Sequence, residues 1–418
     1  MTRVGVLVLL TTASLAHATT LKELLEAADQ QNVDRRISVE QRERAAAEAR
    51  QAWTALLPAL TVSGAYIHNQ EPVTLPQQFG SAVITPQDQL DGTLRVDLPL
   101  IDTTRWMRAS AAIHTADAAE QRDLASADQV RRQVVASWFG YVAALKVRES
   151  AQRSVKVAEE QLKLQEVRAK VGTITELDLS RSIAELQRNR QIVADAENNV
   201  AVNKRYLETL TGIVPSNEAS LPEDDMTAEP SFEELEKNVD TLPAVRAAEK
   251  DVQAASNIST AAKLAAVPVI GAQFTERLTN ATGFSGKTAL YNAGINLTWR
   301  LEVPALMAMD AQGHVQTTAV LVSEKTRLAA RDAIYSDWQR LKAALIKVQA
   351  AQAQVEAARR ADQVAHDRYA VGAATQLEVI TAERDLFGAE VSQTAARTEL
   401  ASARLSLRLS SGRPLFKN

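Results

Sequence analysis

The sequence predicts a mainly α-helical chain with a smaller β portion, built as two copies of one long helical unit. Three observations predict it. The stretch RAKVGTITELDL from Arg168 returns as RYAVGAATQLEV from Arg368, with Arg, Val, Gly, Thr and Leu at the same offsets. Glycine and proline are almost absent from Ile101 to Val171, broken only by Gly140, and from Pro304 to Val371, broken only by Gly313. Four short segments between the helical stretches carry strand signals, two of them with clean alternation of apolar and polar residues.

The chain of 418 residues opens with the features of an export leader: Arg3, the apolar run Val4–Leu10, and Ala16-His17-Ala18. Residues 1–18 are therefore expected to be a cleaved signal peptide. A helix is predicted over about residues 20–56. Residues 60–68, LTVSGAYIH, are a weaker strand candidate, and the loop 69–89 is rich in turn formers. Residues 90–100 place Leu90, Leu94, Val96, Leu98 and Leu100 on one face and Asp91, Thr93, Arg95 and Asp97 on the other.

The two breaker-poor stretches favour helix by composition. Each is about 68 residues, or roughly 100 Å at the rise of an α-helix. No compact domain needs such a length, so a coiled coil or extended helical array is implied. Thr173–Thr211 is a further helix, with Leu179, Leu186, Val193, Val200 and Leu207 spaced seven apart. The seam recurs at Val379, Leu386, Leu400 and Leu407, with Gln393 as a polar gap. The shorter helices, near 20–56, 173–211, 231–266 and 373–409, sum in pairs to about the length of a long one. Each long helix is thus expected to lie beside two shorter ones stacked end to end.

In the second copy, residues 269–276 and 291–301 are strands, the latter with Ile295, Leu297, Trp299 and Leu301 opposite Asn296, Thr298 and Arg300. The copies are offset by 210 at Pro58/Pro268 and by 200 at Gly172/Gly372, which puts about ten extra residues in the first strand loop. The domains follow: first repeat 19–212, linker 213–230 with Pro215, Pro222 and Pro230, second repeat 231–411, and tail 412–418.

Strands of about ten residues fit either a half-buried soluble sheet or a spanning barrel with a lipid face and a wet face. No segment is long and apolar enough for a transmembrane helix, so an exported membrane protein of this kind must use strands. Export without a lipid anchor favours the barrel. Four strands cannot enclose a channel, so a barrel requires several copies.

Several function classes are excluded. There is no cysteine, which rules out disulfides, thiolate metal sites, cysteine nucleophiles and a lipidated N-terminal cysteine. Without Arg3, 46 basic residues face 51 acidic ones, which argues against a nucleic-acid partner. Phosphate-binding glycine loops, nucleophile elbows and zinc-protease motifs are missing. His68, His114, His314 and His366 lack ligand spacing, so neither metal nor cofactor is expected. No catalytic set converges, so the chain is not expected to be an enzyme. Trp53, Trp106 and Trp299 flank the strands, where a membrane boundary or plain packing would suit them.

An exported duplication of helix, β-hairpin, long helix and Val-Gly turn resembles the TolC-like outer membrane factor family. The resemblance covers essentially the whole mature chain. It is carried by the two repeated turns and supported by LLPAL (56–60) and VDLPLID (96–102). It implies a homotrimer in which four strands per chain complete a twelve-stranded barrel in the outer-membrane lipid, while duplicated helical hairpins form a periplasmic tunnel. It implies a passive exit duct for drugs, metals or secreted proteins, working with a periplasmic adaptor and an inner-membrane transporter. It also implies that the two shorter helices of each half form one column. The contrasting possibility is a periplasmic adaptor or coiled-coil scaffold without a barrel, which would usually have one hairpin and compact β modules.

The repeated turns have a structural reading as helix punctuation. Gly172 and Gly372 suit a left-handed helix end, and Thr175 and Thr375 suit N-caps, with Asp178 and Glu378 completing capping boxes. By resemblance, Val171, Gly172, Thr173, Val371, Gly372 and Ala373 match the adaptor-docking motif. Asp178, Tyr369 and Glu378 match the gate that closes the tip. Ala374 departs from the pattern, since a closing arginine can stand there, and Thr381 lies where a second acid can occur.

Overall fold

The computed structural model describes residues 19–75, 83–218, 220 and 224–416. The expected leader, residues 1–18, lies outside them, as does Pro222 of the linker. The elements run α1 (Leu21–Gln31), α2 (Val33–Thr54), β1 (Ala59–His68), β2 (Val73–Thr74), β3 (Val83–Thr85), β4 (Asp88–Ile101), α3 (Thr103–Lys170) and α4 (Glu176–Thr211). After the linker come α5 (Phe232–Glu236), α6 (Pro243–Leu264), β5 (Val269–Thr279), β6 (Ala289–Thr298), α7 (Val303–Ala370) and α8 (Gln376–Ser410). The expected duplication is present, and α3 and α7 are both 68 residues long.

Three sequence expectations need correction. The helix expected over 20–56 breaks at Asn32, whose side-chain oxygen accepts from the Asp34 and Arg35 amides and so starts α2 anew. Its amide also donates to the Leu210 carbonyl at 3.1 Å, fastening the junction to the last turn of α4. The helix expected from 231 is instead the short α5, a 3₁₀ turn at Val239–Thr241 and then α6, because Pro243 fits only at a helix start. The last strand ends at Thr298, leaving Trp299 and Leu301 beyond it, with the Trp299 indole donating to the Ala266 carbonyl.

The chain divides into two compact units. One comprises residues 39–122 and 243–327 and holds an antiparallel sheet in the order β1-β4-β5-β6. Its register makes one face mainly apolar and the other mainly polar. Leu60, Val62 and Tyr66 of β1 pair with Val96, Leu94 and Leu90 of β4. Val96 and Leu98 pair with Phe274 and Ala272 of β5, which in turn oppose Ala293 and Ile295 of β6. Glu276, between Leu94 and Tyr291, is the exception on this apolar face. The opposite face carries Arg95 bonded to Asp97 and Gln273, and Arg277 bonded to Asp91. Large apolar side chains stand open on the apolar face: Val62 is 72% and Ile295 75% exposed. The segment 269–276, weak in sequence, thus completes a face whose pattern only the pairing reveals. Among the described residues β1 and β6 have one sheet neighbour each.

The second unit comprises the described residues within 19–38, 123–242 and 328–416. Its apolar core joins Leu24, Leu25 and Ala28 of α1 to Val134, Trp138, Tyr141 and Leu145 of α3 and Val200, Leu207 and Leu210 of α4. Leu186, Val200, Leu207, Val379, Leu400 and Leu407 of the two predicted seams are buried. The linker is fastened to α8 by charge. Glu229 accepts from Arg404, Arg408 and Arg413 at 2.9 Å each, and Arg404 also donates to the Thr227 carbonyl. Burial alone would raise the Glu229 carboxyl, but Arg408 and Arg404 more than offset it and hold the group below its ordinary range.

Candidate functional site

The two helical hairpins, α3–α4 and α7–α8, end in turns of the same geometry. Gly172 and Gly372 have φ of 73° and 76°, the left-handed region in which a Cβ is costly. The amides of Gly172 and Thr173 donate to the carbonyls of Ala169 and Arg168; those of Gly372 and Ala373 donate to Tyr369 and Arg368. This bonding closes both helix ends as Schellman motifs. The residues flanking each glycine point outward: Val171 is 68% and Val371 79% exposed, and Thr173 and Ala373 are exposed beside them.

The returning helices are capped by Thr175 and Thr375, whose hydroxyls accept from the amides of Asp178 and Glu378. Only the second turn forms a full capping box, because the Glu378 carboxylate reaches back to the Thr375 amide. Asp178 is one methylene shorter and accepts instead from the Thr175 hydroxyl, at 2.8 Å, with Arg181 3.6 Å away. The bond from the Thr375 amide, reinforced by the hydroxyl, holds the Glu378 carboxyl below its ordinary range. It is therefore charged at neutral pH.

Behind the turns the two hairpins meet through buried polar groups. Gln165 of α3 donates to the Tyr369 hydroxyl at 2.8 Å and to the Gln376 side-chain oxygen at 2.9 Å. Gln376 donates on to Ser182 of α4. One turn further along, Arg384 of α8 pairs with Glu185 of α4 through two nitrogens, and Glu185 is buried. The Arg168 guanidinium lies over the Tyr369 ring, 5.2 Å from its centre. Tyr369 is thus held by α3, whereas Asp178 and Glu378 are engaged on their own helices. Ala374 is half-buried, and Arg368 at the end of α7 donates to the Ala373 carbonyl.

Sequence reasoning found both turns and missed Gln165, Gln376, Ser182 and the Glu185–Arg384 pair. A signal existed in the way the two copies differ. At the 200-residue offset Gln165 faces Ala365, Ser182 faces Ala382, and Arg384 faces Ala184. These three polar residues, each carried by one copy alone, bond to the other hairpin.

The sequence profile of the outer membrane efflux proteins matches residues 15–213 and 239–413. The chain belongs to the outer membrane efflux protein family. No curated protein sequence matches it. Among solved structures, this efflux protein is similar to the CmeC outer membrane channel of Campylobacter jejuni, at 18% identity and TM-score 0.82 over 95% of this chain and 87% of that one. It is similar to the outer membrane protein VceC of Vibrio cholerae, at 19% identity and TM-score 0.78 over 95% and 97%. It is also similar to the open state of the MtrE outer membrane channel of Neisseria gonorrhoeae, at 19% and 0.79 over 94% and 89%. These likenesses share the fold of long helices with a strand portion. The efflux protein is accordingly an exit duct of the outer membrane. Nothing favours the adaptor or scaffold possibility, which expected one hairpin where this chain has two. Among the described residues no helix is long and apolar enough to cross a membrane.

Proposed function

We propose that three copies of this chain form a passive conduit: their strands close one twelve-stranded barrel, and their paired turns form a tip that opens on contact with partners. The observation that carries this reading is the two-faced sheet with one-sided β1 and β6. Its apolar face suits lipid and its charged face suits a wet lumen, but four strands leave two edges that only other copies can satisfy. Trp53, Trp106 and Trp299, all exposed, suit the interface between lipid and water.

A periplasmic adaptor docks on Val171, Gly172, Thr173, Val371, Gly372 and Ala373. The exposed valines supply apolar contact, and the turns supply a backbone open to close approach. An inner-membrane transporter supplies the energy, and the duct itself does no chemistry and needs no cofactor or metal. Asp178, Tyr369 and Glu378 belong to the gate. Two carboxylates per chain, repeated around the trimer, favour cations at the opening. Residues 1–18 are removed as a leader, and repeats 19–212 and 231–411, joined by linker 213–230, each supply one hairpin, with 412–418 as a tail.

Fractionation tests the placement. The protein is expected in the outer membrane as a trimer that persists on gels until heated. Recovery wholly as a soluble periplasmic monomer would overturn the reading.

A further inference from the structure

Behind the turns, a cavity of about 280 Å³ opens between the two hairpins. On one side of it, Asp362 and His366 of α7 stand one helical turn apart and face Glu383 of α8. The His366 Nε2 atom lies 3.1 Å from Glu383 Oε1 and 3.6 Å from Asp362 Oδ1. Both of those carboxylate oxygens are buried. The other ring nitrogen, Nδ1, lies 3.4 Å from the amide nitrogen of Gln161 on α3. Among the described residues neither buried carboxylate oxygen has a hydrogen-bond partner, although each lies within ion-pair distance of the imidazole.

We infer that Asp362, His366 and Glu383, which join α7 to α8 and meet α3 through Gln161, form a proton-sharing clasp buried where the two hairpins meet, so that the hairpins stay together in mild acid and separate more readily as pH rises. The charges around them explain the need for a shared proton. On α8, Arg384 is committed to Glu185 of α4, and Glu390 takes Ser150 and Arg153 of α3, with Arg359 of α7 4.0 Å away. Arg188 of α4 also leans on Glu185, at 3.5 Å. The neighbouring arginines therefore serve other acids, which leaves two carboxylates on one imidazole. Among the described residues these groups make no cluster able to hold a metal ion, so a proton is the cation that suits them.

The sign follows by linkage. Burial pushes the Glu383 carboxyl up to about 7, with His366 opposing and Asp362 and Glu185 adding to the rise. Burial likewise raises Asp362, against the pull of His366. When the hairpins separate, Glu383 meets water and reverts to the ordinary carboxylate range. Separation therefore releases a proton between about pH 4.5 and 7, and each unit of pH in that window shifts the balance by up to about tenfold toward the open state. Above the window the full bias persists. The clasp rests on the exit-duct reading only for what its loosening does, since its proton is measurable without transport.

The absence of native cysteine allows clean labelling. Spin labels on Gln187→Cys and Asp385→Cys, both exposed positions on α4 and α8, report hairpin separation in the full chain. Between pH 5 and 8 the long-distance population is expected to grow, and Glu383→Gln is expected to hold the short distance at every pH. Because His366 opposes the rise at Glu383, His366→Gln should move the transition to higher pH, which loss of packing alone would not do. A pH-independent distance in the unmodified cluster, or the same pH profile in Glu383→Gln, would overturn the clasp. Pore conductance in planar bilayers, measured in parallel, separates the two ideas: pH-dependent distances without any conductance would sink the duct and leave the clasp.

Discussion

Gln165 and Gln376 join the two halves of the duplication: the side-chain amide of one donates to the side-chain oxygen of the other at 2.9 Å, and both are buried. A buried amide pair of this kind holds two helices in one register, because any sliding leaves a polar group unsatisfied. Gln376→Ala removes the acceptor and the link to Ser182, while Gln165 keeps Tyr369. The loss should be about 1 kcal/mol from the closed tip, or roughly a fivefold shift toward opening. Resting conductance in planar bilayers should rise with the trimer intact on gels. An unchanged resting conductance would show that closure rests elsewhere.

The docking turns separate fold from function. A Cβ placed on Gly372 meets nothing within 4 Å, so a side chain there costs only the left-handed backbone, about 1–2 kcal/mol. That is small against a trimer interface. Gly372→Trp should therefore assemble normally and lose export, because the indole stands where the adaptor must approach. A compensating change in the adaptor's hairpin tip should restore export in some cases. Normal export by this variant would reduce the paired turns to helix punctuation.

Ala374 sits half-buried at the turn, where it can donate no side-chain hydrogen bond. Ala374→Arg adds donors that can reach Asp178 of a neighbouring helix, each such charge-assisted bond being worth about 1.5–3 kcal/mol in a partly dry site. Resting conductance should fall. A value equal to that of the unmodified chain would mean that the buried seam around Gln165 already sets closure.

Ile295 and Asn296 are adjacent on β6 and face opposite sides of the sheet. Ile295→Arg places a charge against lipid, at a cost of about 2–4 kcal/mol near the bilayer midplane. Asn296→Arg places the same charge in the wet lumen. The first should lower the yield of heat-resistant trimer and the second should leave it unchanged while altering ion selectivity. Equal behaviour of the two would remove the distinction between lipid and lumen faces.

The long helices were legible because a single glycine, Gly140 or Gly313, is all that interrupts the interior of each, and a helix with so few breakers over many turns declares its own length. The Val-Gly turns were equally legible, since a Schellman end demands glycine and the chain writes it twice. The break at Asn32 was not, because an asparagine that caps Asp34 and Arg35 locally is fastened in place by a bond to Leu210, far away in sequence. Nor was the role of His366, whose neighbours Gln161 and Glu383 come from two other helices. Local chemistry announces caps and turns, whereas contacts between hairpins depend on a register that periodicity alone does not state.

The central claim is that three copies close one barrel by joining β6 of each chain to β1 of the next. Within one chain these strands are separated by β4 and β5, so their backbones lie about 14 Å apart, twice the reach of a disulfide. Cysteine pairs stepped along the two edges, beginning with Ser63→Cys combined with Asn296→Cys on the lumen face, therefore cannot bridge within a monomer. Mild oxidation of outer membranes should convert at least one register of such pairs into a covalent trimer on denaturing gels. If every pair along both edges stayed monomeric after oxidation, the shared barrel would be contradicted.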